Sequence, residues 1–168
     1  RVAYIEKMKN FTVSIVMPNF NGEQLLEKNL PSLFIAKENL KNCIIEIIIV
    51  DDGSRDDSVK IITSKFPQIK LIKHKINRGF SAAVNTGVRA ARGDLICLLN
   101  SDVVPEENFL ESVFLNFDNP KVFAVSLNEI GDFGWARGSF TDGFIGHSGG
   151  PKSVKPHDTF WVSGGSGV

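Results

Sequence analysis

The sequence predicts an α/β protein with a mainly parallel central sheet flanked by helices. Three observations lead there. Short β-rich runs alternate with segments of helical period, which implies right-handed crossovers between parallel strands. One of these runs, Ile44 to Val50 (IIEIIIV), is nearly all β-branched, as a parallel strand covered on both faces is. Several runs also stop at turn-forming or acidic residues, and ligands in such sheets bind at the carboxyl ends of the strands.

The elements follow in order. Phe11 to Met17 (FTVSIVM) reads as a strand that stops at Pro18-Asn19, with Asn21-Gly22 behind it, a turn signal. Leu25, Leu26, Leu30, Leu33 and Phe34 then share one helical face, and Pro31 is expected to kink or split that helix. The Ile44 to Val50 strand ends in Asp51-Asp52-Gly53-Ser54, and Val59, Ile62 and Phe66 recur at helical spacing behind an acidic start suited to a helix N-terminus. Ile69 to Lys73 is a short strand. Gly79 to Arg92 reads as a helix with Phe80, Val84, Val88 and Ala91 on one face and Ser81, Asn85, Arg89 and Arg92 on another, closed by Gly93. Leu95 to Leu99 is the fourth strand, ending in Asn100-Ser101-Asp102. Pro105 fits the first turn of a further helix that would bury Phe109, Leu110, Val113, Phe114 and Phe117. Lys121 to Ser126 reads as a strand, the pattern then dissolves into a loop-like stretch up to Asp158, and Phe160 to Val162 reads as a last strand. There is no internal repeat.

The chain has 168 residues, 42% of them hydrophobic and 23% charged, the composition of an ordinary globular protein. The predicted organisation is an α/β subdomain over residues 1–127 that carries the ligand-binding strand ends, with 128–168 beginning a second, incomplete region. Lys plus Arg equals Asp plus Glu at 19 each, so no global field recruits nucleic acid. Cys43 and Cys97 sit beside apolar runs and read as small buried hydrophobes, not as a disulfide or zinc framework. No apolar run approaches the roughly 18 residues of a membrane span, and the charged start, Arg1 to Asn10, lacks a signal-peptide core. The expectation is a soluble, cytoplasmic segment of a longer chain, truncated at its C-terminus.

Two strand ends carry the chemistry, Asp51-Asp52-Gly53-Ser54 and Asn100-Ser101-Asp102. A parallel sheet places both on one edge. Gathered carboxylates raise one another's pKa unless a cation or a hydrogen-bonding ligand intervenes. A divalent metal, Mg2+ or Mn2+, bound through one or two carboxylates and a substrate's phosphates resolves the repulsion. The plainer alternative makes Asp52-Gly53 a turn and Asp102 a helix cap. Gly87 lies inside a helix, where it costs about 1 kcal/mol relative to alanine; either a close approach to sheet or ligand or a small-residue seam offsets that. Lys60 to Arg92 contains eight Lys or Arg, His74 and no acid. Most of this is a solvated basic face, with Arg78 beside Gly79 singled out as facing a diphosphate.

These segments resemble family 2 glycosyltransferases, inverting enzymes with the Rossmann-like GT-A nucleotide-diphospho-sugar transferase fold. VSIVMPNFNG, EIIIVDDGSRDDS and NRGFSAAVNTGVRAARGDLICLLNSDVVP follow in that family's order across most of the first 105 residues, with FWVSGGSG a looser match near the end. The resemblance implies that Pro18 to Asn21 lies along the nucleotide base, with Phe20 as its aromatic contact. It makes Asp52 the base-binding aspartate, with Asp51 beside it. Asn100-Ser101-Asp102 becomes a DxD-like motif in its Asn variant, Asp102 holding the metal on the diphosphate. Arg78, Gly79 and Asn85 line the sugar-nucleotide side.

The implied reaction is transfer of a hexosyl-type sugar from a UDP, GDP or dTDP sugar to a glycan, lipid or other acceptor, assisted by Mg2+ or Mn2+. An inverting transferase needs a general base to deprotonate the acceptor hydroxyl. In the family this is a carboxylate beyond the segment resembled by Trp161 to Gly167, so it is expected past Val168; Asp132, Asp142 and Asp158 lack the expected context. Gly164 and Gly165 match a region near the donor sugar. His147 and His157 read as loop residues rather than metal ligands, and Trp135 and Trp161 as core or sugar-stacking aromatics. Service in polysaccharide assembly further implies peripheral association with the inner face of a membrane. Two alternatives stand beside this reading: a non-catalytic nucleotide-binding module, and a metal-dependent phosphoryl-transfer domain, which would want an Asp-x-Asp after the first strand. Neither G-x-G-x-x-G nor G-x-x-x-x-G-K-[ST] is present.

Overall fold

The computed structural model describes residues 11–127, 136–141, 143–150, 157–159 and 166–168. A five-stranded sheet has the order β3-β2-β1-β4-β7, from β1 (Val13–Asn19), β2 (Ile44–Asp51), β3 (Lys70–Lys73), β4 (Leu95–Leu99) and β7 (Ser166–Gly167). The first four strands are parallel, and β7 runs antiparallel to β4. The connecting helices are α1 (Glu23–Glu38), α2 (Ser58–Lys65) and α3 (Phe80–Ala90). A separate hairpin pairs β5 (Ala136–Thr141) with β6 (Phe144–Gly149). Among the described residues no helix is long and apolar enough to cross a membrane.

Alternation along the strands builds two cores. Ile15, Met17, Ile47 and Ile49 pack with Leu26, Leu30 and Leu33 of α1 and Ile62 of α2, while Val16, Ile48 and Val50 face Ala83 of α3. The β-branched run is therefore buried on both faces, as its composition requires. Cys97 lies in the first core at 0% exposure, and burial pushes its thiol up to about 12. Cys43 is half-buried, with a φ of 52°.

Helix α1 runs unbroken through Pro31. Pro31 and Glu27, whose carbonyl forgoes its partner there, are both exposed, so water can serve that carbonyl. Leu25 departs from the expected buried face and is 40% exposed. Helix α3 departs further: Phe80 and Val88 are exposed, and Ala83 and Gly87 meet the sheet. A Cβ on Gly87 would lie 2.4 Å from Val16 Cγ1 and 3.2 Å from Val50 Cγ2. The small residues thus form the seam, and the bulky ones are left for the rim.

The helix expected from Pro105 does not form; turns lead into a 3-10 segment over Phe114–Asp118. The buried Asn42 explains why. Its amide donates to the Glu107 carbonyl (2.7 Å) and accepts from the Leu110 N–H (3.2 Å), groups an α-helix would bond internally. Asn39 adds a second donor to Glu107 O (3.1 Å). The remaining bonds close at i to i+3, such as Val113 N–H to Leu110 O (3.0 Å). Leu110, Val113 and Phe114 are still buried, as their spacing anticipates.

Lys121 to Ser126 is likewise no strand: Ser126 makes an isolated bridge to Gly167, and Val125 exchanges backbone bonds with Val168 at 2.7 and 2.9 Å. Residues 166–168 thereby return to the main sheet. The loop expected before Asp158 contains the β5–β6 hairpin, which places His147 in a strand. The expected strand Phe160 to Val162, together with Asp132, Trp135, Asp142, Trp161, Gly164 and Gly165, lies outside the described residues.

Replacing Gly87 by Ala sets a gain in helix propensity of about 1 kcal/mol against overpacking of about 1–3 kcal/mol. Val16 is short, stiff and fully buried, so the clash is expected to prevail and lower stability in denaturant melts. The loss should shrink in a Val16→Ala background, where the clashing methyl is gone.

Candidate active site

The carboxyl ends of β1, β2 and β4 lie together because the strands pair in register, Asn19 opposite Asp51 and Val16 opposite Leu98. The loops that follow are stitched by side chains. Ser54 Oγ accepts from Asn21 N–H at 2.8 Å, and Asn21 Oδ1 accepts from Arg55 N–H at 2.9 Å. Gly22 offers α1 no side-chain cap, so partners from the next loop substitute: Ser58 Oγ accepts from Gly22 N–H (3.1 Å) and Asp56 Oδ2 from Glu23 N–H (3.0 Å). The other Asp56 oxygen accepts from Ser58 N–H at 3.0 Å. Burial raises the Asp56 carboxyl, but bonds from Ser58 and Glu23 outweigh it and hold the group below its usual range. One carboxylate therefore serves the N-termini of α1 and α2, as the acidic start of that segment suggests.

The acidic pair is buried, Asp51 at 2% and Asp52 at 3% exposure. Asp51 accepts from Asn19 Nδ2 and Ser54 N–H, each at 3.0 Å. Asp52 accepts from Arg78 N–H on both oxygens at 3.0 Å and from Gly79 N–H at 2.7 Å. His74 Nδ1 lies 2.6 Å from Asp52 Oδ1. Burial raises the Asp52 carboxyl, yet hydrogen bonds from His74, Arg78 and Gly79 and the charge of His74 together hold it below the usual carboxylate range. The repulsion expected of gathered carboxylates is thus relieved at this pair by the chain's own donors.

Asp102 differs in being exposed. With Pro18, Asn100 and Ser101 it lines an open groove of about 210 Å³, whose other walls are Leu25 and Phe80. Four residues singled out in the sequence are therefore brought together. Phe20 stands nearby on the β1 loop at 48% exposure. Asn85 does not reach the groove: its amide donates to Ser81 O (2.8 Å) within α3. Arg78 and Gly79 act through their backbone N–H groups, Gly79 at a φ of 87°. Half of the basic stretch is engaged elsewhere, Lys60 on Asp57, Lys65 on Glu27, Lys70 on Ala90 O at 2.6 Å and Arg92 on Glu46 at 3.3 Å.

Leu25, Phe80 and His74 are the site residues that sequence reasoning misses. Gly87 carries the missing signal for Phe80. Gly87 marks the side of α3 pressed to the sheet, and Phe80, two turns earlier at the first helical residue, lies on that same side where it opens onto the groove. A single carboxylate beside amide and hydroxyl oxygens is hard-donor chemistry suited to Mg2+ or Mn2+ when a ligand's phosphates complete the shell. Among the described residues no group of three His, Cys, Asp or Glu comes together as a self-sufficient metal cage.

A parallel α/β sheet with an acid-bearing groove at its carboxyl edge is the arrangement in which open α/β domains place their ligands. Residues 14–163 match Glycosyl transferase family 2, and the chain belongs to that family. An uncharacterized glycosyltransferase of Haemophilus influenzae is 38% identical over 108 residues, covering 62% of this chain and 41% of that protein. The Escherichia coli UDP-Glc:alpha-D-GlcNAc-diphosphoundecaprenol beta-1,3-glucosyltransferase WfgD is 31% identical over 105 residues, 62% of this chain and 40% of its own. The chain spans about two fifths of the length of these relatives. A Pyrobaculum calidifontis mannosyltransferase, solved with GDP-Man and Mn2+, superposes with a TM-score of 0.60 at 24% identity, over 69% of this chain and 35% of that one. The fold is accordingly that of GT-A glycosyltransferases.

Gly53 adopts a φ of 79°, and a Cβ there would fall 2.8 Å from Asn77 N and from Ile76 C. Gly53→Ala is expected to cost about 1–3 kcal/mol from left-handed strain and overpacking. Hydrogen exchange should show the effect concentrated at Arg78 and Gly79, with the strand amides of β1 and β4 little changed.

Proposed function

We propose that this chain is the donor-binding part of a glycosyltransferase that moves a hexosyl-type sugar from a UDP, GDP or dTDP sugar to a glycan or lipid-linked acceptor. The observation that carries the reading is the groove in which Pro18, Asn100, Ser101 and Asp102 converge at the carboxyl edge of the sheet. Family membership and the nucleotide-sugar donors named for two of the compared proteins support it.

In this reading Pro18, Phe20 and Asn21 flank the base, and Leu25 and Phe80 exclude water from one side of the groove. Asp51 and Asp52 are assigned to the nucleotide side, where their main action is to hold the Ser54 and Arg78–Gly79 turns in place. Arg78 supplies a cation at the rim. Asn85, spent on its own helix, belongs to the outer edge of the donor site. Asp102 would hold a divalent cation, which on binding the diphosphate neutralises the charge that develops on the leaving group. The acceptor hydroxyl must lose a proton to a general base as the glycosidic bond to the diphosphate breaks. Asp102 faces the diphosphate, so the base is assigned to a carboxylate outside these groove residues. An acceptor carried on a lipid would bring the protein to the inner face of a membrane.

Calorimetric titration with UDP, GDP and dTDP, each with and without Mn2+, tests the reading. One nucleotide should bind in a metal-dependent manner. Asp102→Ala should weaken that binding tenfold or more, about 1.4 kcal/mol or above. Binding indifferent to both Mn2+ and Asp102, or no binding of any of the three by the folded chain, would refute the donor-site assignment.

A further inference from the structure

His74 follows β3 and is almost wholly inside the protein, its side chain 7% exposed against 5% for that of Asp52. Its two ring nitrogens face different partners. Nδ1 lies 2.6 Å from Asp52 Oδ1, and Nε2 lies 3.0 Å from Thr86 Oγ1 on α3. An ionised carboxylate only accepts, so Nδ1 must donate. The Thr86 hydroxyl has one hydrogen, and it donates to Ala82 O at 2.9 Å. With that hydrogen given to Ala82 O, the hydroxyl offers Nε2 only a lone pair, and Nε2 donates as well.

We propose that His74 is a positioning residue held as an imidazolium, with a proton on each ring nitrogen, whose charge locks the Asp52 carboxylate onto the Arg78–Gly79 turn. A buried carboxylate needs donors to remain ionised, and among the described residues His74 is the one side chain that faces Asp52 with a donor. The other charged groups around it are accounted for. On β2, Asp51 is occupied by Asn19 and Ser54, and its carbonyl accepts from His74 N–H at 2.8 Å. Arg78 in the turn, Arg89 on α3 and Lys73 and Lys75 beside His74 are all exposed. The imidazolium thus joins the end of β2, the turn before α3 and the middle of α3 through one charged ring.

That the locked turn serves nucleotide binding rests on the function proposed above; the protonation and the locking do not. Long-range proton–nitrogen spectra of the unliganded chain at neutral pH, with His74→Gln fixing the assignment, read the ring directly. Both nitrogens are expected to show N–H character. A bare Nε2, with the Thr86 hydroxyl turned to donate into it, would overturn the proposal. His74→Gln keeps a donor for Asp52 without the charge. It should speed amide exchange at Arg78 and Gly79 about tenfold or more, the loss expected of a charge-assisted bond. Exchange unchanged there would refute the positioning role. In a chain that binds UDP or GDP with Mn2+, the same variant should weaken that nucleotide. A parent chain that binds neither nucleotide would count against the donor-site reading alone, since the spectra and the exchange need no ligand.

Discussion

The carboxyl edge of this protein depends on one buried carboxylate. Asp52 sits at the end of the most apolar strand, where an anion without partners could not remain. It is kept there by two backbone N–H groups from a turn distant in sequence and by the ring of His74. The dependence is mutual, because the turn that satisfies Asp52 also sets where α3 begins. The start of α3 in turn places Phe80 on the groove. Gly53 and Gly79 supply the positive φ values that let both chain segments approach.

The opposite edge is closed by a second carboxylate. Glu46, 7% exposed on β2, accepts from Ser14 Oγ (2.8 Å) and from Arg92 N–H (2.7 Å). Burial raises its carboxyl, and the bonds from Ser14 and Arg92 with the charges of Arg92 and Lys70 outweigh that and lower it. Ser14 Oγ also accepts from Gly93 N–H (2.8 Å), so β1, β2 and the turn into β4 are tied at one point. The sheet is thus pinned at both ends by buried anions. Only Asp102, among the acids discussed for the site, has its carboxylate open to solvent and available to a ligand.

The fold was legible where hydrophobic period alone decides structure. The four parallel strands and α1, α2 and α3 were all visible in the order of their apolar residues. Legibility failed where a side chain competes with the backbone: Asn42 takes the hydrogen bonds of the expected helix after Pro105, and nothing in the local pattern announces a partner some 65 residues away. It failed again at the β5–β6 hairpin, whose residues ARGSFT and FIGHSG lack a clear alternation. At the site, Pro18 and Asn100 to Asp102 stood out because they end strands. Phe80 was hidden because an apolar residue at helical spacing reads as core, whereas here, as the first residue of α3, it opens onto the groove. His74 was hidden because its significance lies in the acceptors on either side of it.

The short strand β3 lies at one end of the sheet order, with its outer backbone groups unpaired by any described strand. A bare strand edge is a template for another chain to add to, and proteins blunt it with brevity and with lysines. This strand has four residues; Lys70 and Lys73 on it, and Lys75 just beyond it, are exposed. The lysines at this edge therefore set like charges against any second strand that would pair there in the same way, which disfavours addition of another copy through the sheet.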